Sequence, residues 1–266
     1  MATITGATRV YGILADPIAQ VRTPELFNAL LEAKGVDGVL VPMHVAADDL
    51  ASLWDGLRRM KSLGGLVVTV PHKSAILDLC DEVGEAARAI GAANVVRREA
   101  DGRMVCDMYD GKGFVEGLRT EGRDPAGKHA LLAGAGGAAS AIAFALADAG
   151  VASLTVANRT PAKADALVAR LREVFADGVF ESGPAVAGDH DLIVNGTSLG
   201  MRAEDPLPVD LSAARAGTIV AEVIMKPEIT PLLAAAREAG LEIHGGVHML
   251  QAQLRLLAKF VGALSD

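Results

Sequence analysis

KHALLAGAGGAAS, residues 128–140, decides how the chain is read. Its apolar run 130–133 predicts a buried strand that stops at Gly134, Gly136 and Gly137. An alanine-rich helix is expected over about 138–149. In such a turn Gly134 permits the tight bend, and Gly136 lets backbone N–H groups approach a pyrophosphate. Ala139 takes the small position where helix packs on strand, and Ala135 and Ala138 complete the turn. The unpaired donors and positive dipole end of the helix then face the phosphates. A second apolar strand, 153–157, follows, so the unit is strand–turn–helix–strand and a dinucleotide is the expected ligand.

The end of that second strand selects the cofactor. A carboxylate there would hydrogen-bond a ribose 2′-hydroxyl and favour NAD. The residues present are Asn158, Arg159 and Thr160, with Lys163 one turn further on. A guanidinium and an ammonium can clasp a 2′-phosphate, so NADP is expected. Thr160 before Pro161 also reads as a helix cap.

Composition narrows the class. The chain has 266 residues, 51% of them hydrophobic, and a formal charge of −8. That length suggests one large or two modest domains. The negative charge and the 3% aromatic content argue against a nucleic-acid partner. No apolar run is long enough to span a membrane, and residues 1–4 do not open a signal peptide. Cys80 and Cys106 form no metal or redox motif, so no metal is expected and a cytoplasmic location is the default. Oligomeric state is left as monomer or homodimer.

The first half alternates strand and helix and has its own apolar faces, which reads as a separate α/β domain. Strands are expected at 8–14, 38–44 and 66–70. Thr23 is read as the cap of a helix with Pro24 at its first position, running to about residue 34. A helix is expected near 73–83 and another over 85–90. A β-hairpin is expected from 93–97 and 103–108. Asp110-Gly111-Lys112-Gly113 reads as a hinge before a helix at 114–120. Later strands are placed at 178–181, 192–195, 218–222 and 242–244. The loop 196–201 follows a strand end, where doubly wound sheets bind ligands. A long amphipathic helix is expected over 247–264. The fold class is thus two-domain α/β: residues 1–109, with 247–266 packing back onto them, and a Rossmann-type unit over 110–246.

Lys73 follows a strand stopped by proline, and Asp110 lies at the domain junction. A lysine and a carboxylate beside a nicotinamide suit alcohol oxidation. The hydroxyl must lose a proton as hydride leaves the same carbon, and a positioned base accepts it. A lysine does this when its pKa is lowered, or it stabilises the alkoxide as a cation. Taken without context, the same residues also read as a solvated turn lysine and a turn-forming aspartate.

Nine segments in order resemble the shikimate dehydrogenase family along nearly the whole chain. They are DPI (16–18) with TP (23–24), VTVPHK (68–73), IGAAN (90–94), DGKGF (110–114), GAGGA (134–138), NRT (158–160), NGTSLGM (195–201), Pro227 with TPLL (230–233), and GG (245–246) with Met249, Leu250 and Gln253. The resemblance implies an NADP-dependent oxidoreductase that interconverts shikimate, or a related cyclic hydroxy acid, with its keto form. It implies a place in aromatic amino acid biosynthesis and an active site in the cleft between the domains. Lys73 and Asp110 match the family's catalytic pair. Thr23, Thr69, Asn94 and Gln253 match substrate-contacting positions. Thr197, Met201 and Gly246 join the glycine-rich turn and Arg159, Thr160 and Lys163 as cofactor contacts.

Departures from the family pattern cluster on polar positions. The run that usually carries two carboxylate-binding serines reads Gln20-Val21-Arg22-Thr23-Pro24, so Val21 cannot hydrogen-bond. Val67, Val95, Met108 and Tyr109 replace usual polar residues, and Met225 replaces a tyrosine. Losing one donor to a charged ligand costs roughly 1.5–3 kcal/mol. Arg22 or Tyr109 is available to compensate. A family member with a less polar substrate, or a non-catalytic NADP-binding regulator, is therefore carried as an alternative.

Overall fold

The computed structural model describes residues 3–265. Met1, Ala2 and Asp266, which the expected domain ranges include, lie outside the described residues. The chain divides into two compact units, residues 1–109 with 254–266, and residues 110–253.

The first unit begins with β1 (Arg9–Ala15), α1 (Thr23–Ala33), β2 (Gly38–His44), α2 (Leu50–Arg59) and β3 (Leu63–Val68). It continues with β4 (Glu82–Val83), α3 (Glu85–Ile90), β5 (Val95–Arg98) and β6 (Met104–Asp107). The sheet order is β2-β1-β3-β5-β6-β4. β1 runs parallel to β2 and β3, whereas β5 runs antiparallel to β3. All six residues of β3 are buried, which explains its continuous apolar sequence.

Three expectations need correction. Thr23 is the first residue of α1 rather than its cap; Arg22 holds that position with helical backbone angles and no side-chain cap bond. Residues 73–83 do not form a helix. They form a turn, one 3-10 segment (Ala75–Asp78) and the short β4, because Asp81 N–H donates to Met104 O at 2.8 Å and draws the chain into the sheet edge. Residues 110–113 are already helical, so α4 (Asp110–Thr120) starts four residues earlier than expected, directly after the boundary between the units.

The second unit contains α4, β7 (His129–Ala133), α5 (Gly137–Asp148), β8 (Ser153–Ala157), α6 (Pro161–Val174) and β9 (Phe180–Ser182). β10 (Leu192–Asn195), β11 (Ile219–Glu222), α7 (Pro231–Glu238), β12 (Glu242–His244) and α8 (Gly246–Phe260) follow. The unit boundary at 253/254 falls inside α8. The six strands are all parallel, in the order β12-β11-β10-β7-β8-β9. The chain winds outward from β7 on one side, then returns to wind outward from β10 on the other. This is a doubly wound sheet with its switch point between β7 and β10. A core of Leu131, Ile193, Val220, Leu232 and Leu233 fills one face.

A buried histidine is expected to make this unit acid-sensitive. His244 is 1% exposed, and neither ring nitrogen has a hydrogen-bond partner among the described residues. It stacks on His248 at 4.7 Å and meets the edge of Phe114. Burial, with smaller contributions from His248 and Arg123, pushes its pKa down to about 4. The unfolded chain binds a proton near pH 6.5, and the folded chain does so only near 4. Stability present at neutral pH is therefore lost as pH falls through that window, by about 3 kcal/mol. His244→Leu removes two unsatisfied polar atoms at similar volume. It is expected to raise the neutral-pH melting temperature by about 2–4 °C per kcal/mol recovered and to flatten the acid limb. An acid limb identical in both proteins would show that His244 is not the group responsible.

Candidate active site

In the first unit, the candidate residues gather at the carboxyl ends of β1 and β3. Thr69 follows β3 directly, and its N–H donates to Leu14 O at 3.0 Å. Lys73 lies half-buried in the turn after it, and its carbonyl accepts from Ala93 N–H at 2.8 Å. Asn94 is 3% exposed and clips three segments together. Its Oδ1 accepts from Tyr109 N–H at 2.9 Å, its N–H donates to Asp107 O, and its carbonyl accepts from Val68 N–H. Because β5 is antiparallel, Asn94 enters it at the same end where β3 stops. Thr23 is buried at the start of α1. The Asp16–Arg22 segment leading to it leaves β1 at that same end, where Asp16 N–H donates to Val70 O.

His72 was not foreseen as a site residue. It is 1% exposed, and its Nε2 lies 2.9 Å from Val45 O. A carbonyl only accepts, so Nε2 donates this bond, and Nδ1 has no hydrogen-bond partner among the described residues. This bond anchors the turn that carries Lys73.

The departures from the family pattern separate by position. Val67, Val95 and Met108 are core residues, 6%, 0% and 1% exposed. Tyr109 packs against Phe260 with ring centroids 5.5 Å apart, and burial raises its phenol pKa. Arg22 pairs with Glu25 at 3.1 Å on the surface. Val21 is half-buried and Met225 is exposed. Val21 and Met225 are thus the apolar departures that keep solvent contact.

In the second unit, Asp110 opens α4 and is 5% exposed. Gln253 Nε2 donates to Asp110 Oδ1 at 2.6 Å, joining two residues 143 positions apart. Gly113 permits this approach, since a Cβ there would lie 2.7 Å from that of Gln253.

The glycine-rich turn sits at the switch point. Gly134 has φ +115°, which L side chains rarely adopt, and a Cβ there would be 3.0 Å from Gly196 O. Gly136 is the N-cap of α5 and has no side-chain cap bond. Ala135 and Ala138 are half-buried, and Gly137 is exposed at the start of the helix. The first-turn N–H groups here have no intrahelical partners, which suits a pyrophosphate. At the end of β8, Asn158 Nδ2 donates to Thr160 O at 2.9 Å. Thr160 is the N-cap of α6 but makes no side-chain cap bond, and Arg159 and Lys163 are exposed. Gly246 starts α8, where a Cβ would lie 2.7 Å from the Val223 carbonyl carbon. Met201 is 58% exposed.

The loop after β10 rests on a buried network the sequence did not reveal. Thr197 N–H and Oγ1 both donate to Asn195 Oδ1, at 3.0 and 2.7 Å. Asn195 Nδ2 donates to Leu199 O and to Glu222 Oε1, each at 2.9 Å. Thr230 Oγ1 donates to the same Glu222 oxygen at 2.8 Å. Glu222 is 0% exposed; burial raises its carboxyl pKa and these donors partly offset the rise. The only visible signal was an acidic residue ending an apolar strand. Among the described residues, no cluster of His, Cys, Asp and Glu could hold a metal, and no helix is long and apolar enough to cross a membrane.

A doubly wound parallel sheet, with its glycine turn open at the switch point, defines a dinucleotide-binding enzyme class. The comparisons are specific within it. Residues 13–96 match the family "Shikimate dehydrogenase substrate binding domain", and residues 118–201 match "Shikimate / quinate 5-dehydrogenase". The shikimate dehydrogenase (NADP(+)) of Acidiphilium cryptum strain JF-5 is 42% identical over 93% of this chain and 88% of its own. The 5-ketofructose reductase of Gluconobacter sp. strain CHM43, in ligand-free form, superposes with TM-score 0.88 at 32% identity, over 97% of this chain and 94% of its own. Shikimate 5-dehydrogenase from Thermus thermophilus, in complex with NADP(H) and shikimate, gives TM-score 0.87 at 29% identity, over 97% of this chain and 94% of its own. The chain belongs to the shikimate/quinate dehydrogenase family and is an oxidoreductase.

Proposed function

We propose that this enzyme uses NADP to interconvert a cyclic hydroxy acid of the shikimate type and its keto form. The observation that carries this reading is the buried Asp110–Gln253 pair. It supplies a fixed carboxylate and an amide in the unit that bears the open dinucleotide turn. NADP would lie with its pyrophosphate on residues 134–138 and its 2′-phosphate against Arg159 and Lys163. It supplies the hydride acceptor. Lys73 takes the hydroxyl proton in oxidation and returns it in reduction. Thr23, Thr69, Asn94 and Gln253 bind and orient the ring hydroxyls and carboxylate, and Asp110 is the carboxylate of the reaction machinery. Residues 1–109, with 254–266 of the same unit, are the substrate domain in this reading, and residues 110–246 are the NADP domain. The test is initial rate with NADP⁺ and shikimate, then quinate. Saturable turnover on either supports the reading, and absent turnover on both with NADP bound overturns the substrate.

A second reading has its own support. Val21 removes a carboxylate-binding hydroxyl, and a relative at 32% identity is named for a keto-sugar. On this reading the chemistry is unchanged and the substrate is a hydroxylated ketone without a carboxylate. Reduction of 5-ketofructose with NADPH, in the absence of shikimate turnover, would decide for it.

Cofactor choice gives a separate prediction. Arg159→Ala removes a charge-assisted contact worth about 1.5–3 kcal/mol. KM for NADP⁺ is expected to rise about tenfold or more, with KM for NAD⁺ little changed. An equal rise for both cofactors would remove Arg159 from the 2′-phosphate site.

A further inference from the structure

A groove of about 880 Å³ opens in the first unit, on Arg9, Arg58, Arg59, Lys61, Arg97 and Arg98. Such a volume is in the range of small-ligand pockets. Two carboxylates, Glu99 and Asp101, also line it, and each is engaged: Glu99 with Arg97 at 2.7 Å, Asp101 with Arg103 at 2.9 Å. Arg58 pairs with Asp81 at 2.7 Å. Among the described residues no carboxylate pairs with Arg9, Arg59, Lys61 or Arg98. In a chain of formal charge −8, this is a local excess of positive charge.

Two buried polar groups show that the groove is built into the unit. Arg98 is 9% exposed, yet its guanidinium meets only backbone carbonyls: Nε donates to Arg58 O at 2.7 Å and Nη1 to Glu99 O at 3.1 Å. These bonds fix the plane of the guanidinium, and its Nη2 has no partner among the described residues. Tyr11, 4% exposed, also lines the groove, and its hydroxyl has no protein partner among the described residues. The Arg98 Nη2 and the Tyr11 hydroxyl both keep contact with solvent, so an anion entering the groove meets donors that no protein group occupies. A planar donor pair held in place also suits phosphate oxygens better than a mobile lysine does.

The groove is remote from the candidate active-site residues of the same sheet. Arg9 begins β1, Lys61 precedes β3, and Arg97 and Arg98 end the antiparallel β5. All lie at the end of the sheet opposite Thr69, Lys73 and Asn94, a strand length of roughly 20 Å away.

We propose that this groove is a second ligand site, for a small soluble phosphate-bearing anion, separate from substrate and dinucleotide. Arg98 and Tyr11 form its floor, and Arg9, Arg59 and Lys61 close over the phosphate charge.

The test is calorimetric titration of the full-length protein with inorganic pyrophosphate, at constant ionic strength and with NADP⁺ saturating, so that the glycine-rich turn is filled. One saturable site is expected. Binding should weaken at least tenfold in the R59E/K61E variant and in its neutral counterpart R59Q/K61Q. Both replaced side chains are exposed, so both variants should keep the wild-type melting temperature and NADP⁺ affinity. Heat that disappears when NADP⁺ is saturating means pyrophosphate occupies only the dinucleotide turn, which overturns the proposal. So does affinity unchanged in both variants, or a response that chloride at equal ionic strength reproduces. If NADP⁺ itself fails to bind, the dehydrogenase reading falls, while the variants still report on the groove.

Discussion

Lys73→Ala is expected to lower kcat by about 10²–10⁴-fold while leaving NADP⁺ affinity within about twofold of wild type. The size is that of losing a positioned proton-transfer group. The direction follows from position: Lys73 sits in the first unit, and the glycine turn proposed to hold the pyrophosphate sits in the second. The fold should tolerate the change, because the turn is anchored by the Lys73 carbonyl to Ala93 and by His72 to Val45, not by the ammonium alone. Rates on the best substrate and a fluorescence titration of NADPH separate the two parameters. Wild-type turnover in the variant would remove Lys73 from the chemistry. Parallel loss of turnover and cofactor binding would point to a folding defect.

Gly111→Ala is expected to cost about 3 kcal/mol or more and to lower the melting temperature by roughly 6–12 °C. A Cβ on Gly111 would overlap the carbonyl oxygen of Ala141, 2.6 Å from its carbon and 2.7 Å from Ala145 Cβ. These are backbone and side-chain atoms of α5, buried against α4, so no flexible group can yield. Gly136→Ala is the matched control. That position has ordinary backbone angles and nothing within 4 Å of a new Cβ, so stability should hold. NADP⁺ affinity should fall, because the methyl group occupies the approach proposed for the pyrophosphate. Thermal denaturation of both variants with and without NADP⁺ checks the pair. A Gly111→Ala protein as stable as wild type would mean that α4 and α5 are not packed as closely as the structure shows.

Gly111 lies in a segment whose local chemistry and tertiary role differ. Asp110-Gly111-Lys112-Gly113 looked like a hinge because glycine loosens a chain locally. In the structure its glycines let α4 approach α5 and α8 closely, and the segment is the first turn of a helix. The misread 73–83 segment has a parallel cause. Its local pattern suits a helix, but edge pairing with β6 captures it. Val67, Val95 and Met108, which read as lost ligand contacts, are as buried as Asn94 and Asp110. No residue-by-residue pattern distinguishes a buried strand position facing a ligand from one facing the core.

The doubly wound nucleotide unit, the strand–turn–helix punctuation and the family were all legible in the residue order. These rest on near-neighbour chemistry: apolar runs, proline and glycine at turns, and a few spaced polar residues. That Gln253 holds Asp110, that Glu222 supports the Thr197 loop through Asn195, and that four separate segments assemble a basic groove became visible in the folded chain alone. Each depends on which distant segments the sheet order and strand register bring side by side, and that choice is made by packing across the whole unit.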